Sequence, residues 1–148
     1  MSNLFKVFAV VLLLAGCGEQ DANLSKMVVK TSNGDVVYNI ETATTQEEMS
    51  QGLMNRKELR ADSGMIFDVN GAEGISMWMK DTYISLDMIF VNKEGKVIWL
   101  YGNAEPLSTT LIEPKVSEPI AAVVEINGGD IAKHNIQIGD FVEHKVID

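Results

Sequence analysis

The sequence predicts a mainly β domain, either a compact β-sandwich or a small barrel of seven to eight strands with one or two short helices. Three observations lead to this prediction. Short apolar runs recur along the chain with turn-forming residues between them. Residues 86–91 and 96–101 are almost continuously apolar, which is typical of strands in the middle of a sheet. Helical periodicity is confined to two short stretches, so an α+β fold is the alternative class.

The first sixteen residues are predicted to be a signal peptide that takes no part in the fold. Lys6 is their only charged residue, and residues 7–14 form an apolar run too short to span a bilayer. Small residues then lead to Cys17, a pattern that resembles a bacterial lipoprotein signal. We therefore expect Cys17 to be lipidated, residues 17–26 to form a polar tether, and residues 27–148 to form a single domain.

The same segment predicts the compartment. Gly18, rather than Asp, follows Cys17, and by the sorting rule of enteric-type bacteria this favours the outer membrane. The expected location is the cell envelope, lipid-anchored and facing the periplasm. Removing Lys6 changes the formal net charge from −9 to −10. Such an acidic domain is a poor partner for nucleic acid or for an anionic lipid surface, so Cys17 is the expected contact with the membrane.

The N-terminal part of the domain carries local signals for a hairpin and a helix. Asn33-Gly34 lies between β-branched runs, which is the strongest short-range hairpin signal. Thr45 with Glu48, or the pair one residue earlier, can form a capping box at the start of a helix. Met49 and Leu53 would mark the buried face of that helix. Arg56 would lie near its C-terminus, where a cation is favourable.

The rest of the domain is predicted from apolar runs and turn residues. The expected elements are a strand at 64–69, a glycine-bearing loop at 70–74, strands at 86–91 and 96–101, a long ordered loop at 104–118, a strand at 120–126, a helical turn at 130–134 and a strand at 141–147.

The stretch from residue 77 to residue 87 mixes bulky and charged side chains most densely. Residues 75–80 can be interpreted as a strand in which Trp78 is a core residue, and for Trp78 alone we favour this interpretation. Alternatively, Trp78 is the floor of a pocket, and charged side chains line its rim. The sequence predicts a ligand site formed by Trp78, Lys80, Asp81, Thr82, Asp87, Glu125 and Arg56.

The sharpest form of this prediction concerns three charged residues. Lys80, Asp87 and Glu125 each end or interrupt an apolar run, where a charge must reach water or find a partner. We therefore expect these three side chains to converge at one end of the β-core.

Six motifs in order resemble a known family. They are Gly52-Leu53-Met54-x-Arg56, Gly64-Met65-Ile66-Phe67, Trp78-Met79-Lys80-Asp81-Thr82, Leu86-Asp87, Val124-Glu125-Ile126-x-Gly128-Gly129 and Gly139-Asp140. The chain resembles the domain of unknown function 192 family over about residues 36–146. The resemblance implies a compact β-rich domain, often secreted or membrane-anchored, with no established activity. The family usually has Asn at position 81, and an amide can donate as well as accept, whereas a carboxylate only accepts.

The function predicted from these features is non-catalytic. We expect a lipid-anchored envelope domain that binds a small ligand or an envelope protein and uses no cofactor or metal. One alternative is a hydrolase in which Asp87 and Glu125 supply an acid and a base. A second is a copper protein in which the thioethers of Met77 and Met79 bind the metal. Methionines two residues apart on an apolar strand are also typical of a packed core, which is the interpretation we favour for this pair.

Overall fold

The computed structural model describes residues 24–69 and 74–147. The predicted signal peptide, Cys17 and the tether up to residue 23 lie outside the described residues. Within the described part, the chain forms β1 (Leu24–Thr31), β2 (Gly34–Ala43), α1 (Gln46–Gln51), β3 (Ser63–Asp68), β4 (Leu86–Val91), β5 (Val97–Ala104), β6 (Ala122–Asn127), α2 (Asp130–His134) and β7 (Phe141–Glu143). The predicted mainly β class with two short helices is confirmed.

The strands form one sheet in the order β5-β4-β6-β3-β2-β1-β7. Among the described strands, β2 and β3 are the only parallel neighbours, and α1 connects them. A bridge between Lys96 and Phe141 joins the two ends of this order. The sheet therefore curves into a half-barrel. No helix in the described part of the chain is long and apolar enough to cross a membrane.

Both predicted hairpins are present. In the first, Thr31 pairs with Gly34 around a two-residue turn, and Gly34 supplies the positive φ of 114°. β1 begins at Leu24, so the last three residues of the predicted tether belong to the sheet. In the second, β4 has the predicted bounds, while β5 continues to Ala104, three residues beyond the prediction.

The predicted helix α1 starts with the capping box of Thr45 and Glu48. The Thr45 hydroxyl accepts from the Glu48 N–H at 3.2 Å, and the Glu48 carboxylate accepts from the Thr45 N–H at 2.9 Å. The helix ends at Gln51, so the prediction that Arg56 lies near its C-terminus is wrong. Arg56 instead donates two hydrogen bonds to Glu41, at 2.5 and 2.7 Å.

Two apolar clusters cover the two faces of the sheet, because successive residues of a strand point to opposite sides. The branched cluster has the buried residues Met27, Val29, Tyr38, Ile40, Ile66, Ile89, Val91, Val97, Ala122, Val124, Ile126, Ile136 and Val142. The methionine cluster has the buried residues Ala43, Leu53, Met65, Phe67, Met79, Leu86, Met88, Phe90, Ile98, Ala104, Ile112, Ile120 and Val123, with Met49 and Met77 packed against them.

The prediction of a strand at residues 75–80 is wrong. This segment pairs with the long loop instead of joining the sheet: Met77 forms an isolated bridge with Ile112, and the Met79 N–H donates to the Ser108 carbonyl at 3.0 Å. The loop at 104–118 is therefore ordered, and it holds the central stretch against the methionine cluster. The last strand is also shorter than predicted, since β7 ends at Glu143.

Candidate functional site

Glu125 is a buried carboxyl group in the middle of the sheet. It lies on β6 directly opposite Met65 of β3 and Met88 of β4, so a thioether side chain flanks it on each side. Only 5% of Glu125 is exposed, and no described residue forms a hydrogen bond or ion pair with its carboxyl group. Burial raises the pKa of Glu125 to about 8. The group is therefore mainly protonated at neutral pH.

A small cavity of about 30 Å³ lies against Glu125. Its lining residues are Met49, Ser50, Gln51, Gly52, Leu53, Met54, Phe67, Met77, Trp78, Thr82 and Glu125. The sheet supplies the floor, the end of α1 with its following loop supplies one wall, and the central stretch supplies the other. The space can hold one or two water-sized groups.

The two walls of the cavity are held by local backbone geometry. Gly52 ends α1 with a φ of 47°, and a Cβ at this position would lie 3.3 Å from the ring of Phe67. Glycine therefore allows the loop to pass closely over the floor. Across the site, the Asn55 N–H donates to the Asp81 carbonyl at 2.8 Å. This bond fixes the loop after α1 to the central stretch.

Trp78 lies at the mouth of the cavity and is 43% exposed, so its interpretation as a core residue is wrong. The Nζ atom of Lys80 lies 5.4 Å from the centroid of the Trp78 ring, within the range of a cation–π contact. Thr82 is buried in the wall, and its hydroxyl donates to the Lys80 carbonyl at 3.1 Å. The structure thus brings Trp78, Thr82 and Glu125 to one cavity, whereas Lys80 contacts Trp78 and is not part of the lining.

Asp87 lies on the other face of the sheet. It pairs with Ile126, the residue after Glu125, so the two carboxyl groups point in opposite directions. The Asp87 carboxylate is buried and accepts from the backbone N–H groups of Asn103 and Ile131, each at 2.7 Å. The predicted convergence of the three charged residues is therefore wrong for Asp87. The hydrolase alternative required Asp87 and Glu125 to act together, and the sheet separates these two residues.

Arg56 and Asp81 also lie outside the cavity lining. Arg56 and its partner Glu41 border a separate surface groove of about 390 Å³. Asp81 is exposed and has a φ of 53°, a left-handed conformation that Asn adopts more readily than most residues. The Asn that the resemblance implies at position 81 would suit this backbone conformation.

Several lining residues were not predicted as site residues, namely Met49, Leu53, Met54 and Phe67, while Met77 was named only in the copper alternative. The sequence motifs could have pointed to some of these residues, because four of the six motifs shared with the family contribute to the lining. Their convergence depends on pairing between distant strands, which no local pattern reveals. Among residues 24–69 and 74–147, no group of three or more His, Cys, Asp or Glu side chains is placed to hold a metal ion.

Comparisons with known proteins agree with this fold. The model of the domain of unknown function 192 family, described as an uncharacterised ACR, matches residues 28–144. A structure of a protein of unknown function from Novosphingobium aromaticivorans DSM 12444 is 38% identical, with a TM-score of 0.77 over 82% of this chain and 85% of that chain. A structure from Sinorhizobium meliloti 1021, described as a candidate transcription regulator, is 33% identical, with a TM-score of 0.78 over 85% of this chain and 97% of that chain. The search of curated proteins gave no match.

Proposed function

The chain belongs to the domain of unknown function 192 family, and we propose that it is a lipid-anchored binding protein of the cell envelope that takes a small ligand at the Glu125 cavity. One observation carries this proposal. Glu125 is a nearly fully buried carboxyl group that faces a cavity and has no partner among the described residues. A carboxyl group that is removed from bulk water and has no protein partner is destabilised, and a ligand that supplies a donor or a cation reduces that cost.

The arrangement favours binding over catalysis. The sheet separates Asp87 from Glu125, so these two acids cannot act on one bond. The Nε2 atom of His144 lies 2.6 Å from the Ser25 hydroxyl, which could suggest a serine nucleophile. However, the Nδ1 atom of His144 accepts from the Val146 N–H, so Nε2 carries the proton and cannot take one from Ser25.

The description of the Sinorhizobium structure raises nucleic acid as another ligand. The charge of this chain opposes that function, since a formal net charge of −9 repels a phosphate backbone. The lining of the cavity also opposes nucleic-acid binding, because its one ionisable residue is an acid. A DNA-binding role is therefore not proposed for this chain.

The ligand proposal is tested on the lipidated protein purified from its native membrane. Material released on denaturation is analysed for both organic compounds and metals, in parallel for the wild type and for Glu125→Gln. We expect one species to be released by the wild type and to be at least about tenfold depleted in Glu125→Gln. Glu113→Gln, a change at an exposed glutamate, is the matched control and should behave as the wild type. Equal release from all three proteins would refute the proposal.

The anchor proposal rests on the apolar run that ends at Cys17. An acyl chain contributes about 0.8 kcal/mol for each buried CH₂ group, so a diacylated Cys17 should hold the protein in the membrane through washing. Cys17→Ser should abolish incorporation of labelled fatty acid and shift the protein out of the lipidated pool. The same acyl labelling and fractionation for mutant and parent would contradict the anchor, without affecting the test of the cavity.

A further inference from the structure

The size of the Glu125 cavity restricts what can occupy it. About 30 Å³ of space admits one or two water-sized groups. A sugar, a nucleotide or an amino acid cannot enter without displacing the walls. The occupant that fits the space as it stands is an ion or a comparably small group, and the acid at the floor favours positive charge once it has released its proton.

The donor atoms around the cavity are unusual for an ion site. Two hydroxyl groups can act only as acceptors here, because Ser50 already donates to the Gln46 carbonyl and Thr82 already donates to the Lys80 carbonyl. Besides these two hydroxyl oxygens, the side chains available to a ligand are the Glu125 carboxyl group, the Gln51 amide oxygen and the thioethers of Met49, Met54 and Met77. Thioethers are soft ligands that suit Cu(I), whereas Mg²⁺, Ca²⁺ and Mn²⁺ prefer sets of oxygen ligands.

The distribution of methionine between the two clusters supports a site for a soft metal ion in this cavity. Seven methionines lie in the described residues, and Met27 alone belongs to the branched cluster. The other six, Met49, Met54, Met65, Met77, Met79 and Met88, belong to the methionine cluster or line the cavity. The two clusters have equal numbers of buried residues, so a general need for flexible core filling does not explain why methionine gathers on the side of Glu125.

We propose that the cavity is a site for one Cu(I) ion, held by the thioethers of Met49, Met54 and Met77 beside the carboxylate of Glu125. The proposal rests on the proposed function and specifies its ligand. A monovalent ion and a carboxylate together carry no net charge, which suits an apolar site. Trp78 lies at the mouth of the cavity, next to the proposed ion.

This ligand set differs from the pair of Met77 and Met79 expected from sequence spacing. Met79 is 1% exposed and packs in the methionine cluster without lining the cavity. Met77 does line it, opposite the methionines at the end of α1. The structure thus assigns Met79 to the core and Met77 to the site.

The test is a competition titration of the full lipidated protein in detergent, under reducing anaerobic conditions, between Cu(I) and a chromophoric Cu(I) chelator. The wild type should withdraw one equivalent of Cu(I). Met49→Leu, Met54→Leu, Met77→Leu and Glu125→Gln should each weaken binding at least about tenfold. Met27→Leu, the same change in the branched cluster, is the matched control and should leave binding unchanged. Binding that is not stoichiometric, or is equally weakened in Met27→Leu, would overturn the proposal.

A second measurement does not depend on variants that fold. Ag(I) has the charge and softness of Cu(I), and it can be added to protein whose methionine methyl groups carry ¹³C. The methyl resonances of Met49, Met54 and Met77 should shift together at one equivalent, while that of Met27 stays in place. Shifts of the Met27 resonance, or none at all, would overturn the proposal. If neither ion binds but the wild type still releases a Glu125-dependent organic species, the metal assignment fails and the binding function stands.

Discussion

Both faces of the sheet bury carboxyl groups, but the hydrogen bonding of these groups differs. On the branched side, Asp87 accepts from two backbone N–H groups, and Asp130 accepts from the Tyr38 hydroxyl at 3.2 Å. On the methionine side, Glu125 has no such partner among the described residues, and it faces open space. Residue type and burial are nearly the same on the two sides. The difference in partners indicates that Asp87 stabilises the fold, and it supports the proposal that Glu125 meets a ligand.

The largest expected effect comes from Asp87→Ala. This change removes a fully buried side chain and, with it, the acceptor of the N–H groups of Asn103 and Ile131. We expect the free energy of unfolding to fall by about 3–5 kcal/mol, measured by urea denaturation. Asp87→Asn keeps the shape and one acceptor oxygen, so it should lie between the wild type and Asp87→Ala. Near-normal stability of both variants would contradict the conclusion that the hydrogen bonds of Asp87 stabilise the fold.

The second prediction concerns pH. The pKa of Glu125 is about 8 in the folded protein, above its ordinary value of 4.5, so between these values the folded chain binds more protons than the unfolded chain. The contribution of Glu125 to stability should therefore be greatest below about pH 4.5, fall as the pH rises towards about 8, and level off above it. The total change is on the order of a few kcal/mol.

Glu125→Gln should remove this pH-dependent contribution. Melting temperatures of the wild type and the variant, measured from pH 4 to pH 9, should differ by an amount that changes steadily with pH. The exposed carboxylates titrate in both proteins and cancel in the difference. A difference that is constant across the range would show that Glu125 has an internal partner after all.

The third prediction separates Met77 from Met79. Replacement of either residue by Leu nearly conserves volume, so each change should lower the free energy of unfolding by less than about 1.5 kcal/mol. Stability alone should therefore not distinguish them. The affinity for Cu(I) should distinguish the two variants, because of these two residues only Met77 lines the cavity. A loss of Cu(I) binding in Met79→Leu that equals the loss in Met77→Leu would contradict the division between core and site.

The smallest expected effect is at Asp81. Its φ of 53° favours Asn over Asp, so Asp81→Asn should stabilise the protein by a few tenths of a kcal/mol. Asn55 has a φ of 63°, and the reverse change Asn55→Asp should destabilise it by a similar amount. Both are measured by thermal denaturation. Cu(I) affinity should remain unchanged in Asp81→Asn, since the side chain of residue 81 does not line the cavity.

Elements that depend on neighbouring residues could be predicted from the sequence. The turn before Gly34, the capping box of Thr45 and Glu48, and the bounds of β4 and α2 each follow from a few adjacent side chains. The structure also brings Glu125, Trp78 and Thr82, which were grouped from the sequence, to one cavity; their role as a ligand site stays a prediction.

The pairing of distant segments, and the face of the sheet on which each side chain lies, could not be predicted. Asp87 and Glu125 are 38 positions apart in the chain, and a shift of one residue in the pairing of β4 with β6 would have placed them on the same face. The exposure of Trp78 likewise depends on the pairing of its segment with the loop at 104–118 instead of with a strand. Register and long-range pairing are set by the whole sheet, and no short window of sequence contains them.

The position of β6 has a consequence for how the chain folds. Although it is the sixth strand in sequence, β6 lies between β3 and β4 and pairs with both. The β4–β5 hairpin joins the rest of the sheet through β6 and through the bridge of Lys96 with Phe141. Completion of the sheet must wait for residues late in the chain to reach partners far earlier in it, which is typical of slow folding. Because Glu125 lies on this joining strand, the step that completes the fold is also the step that removes its carboxyl group from water.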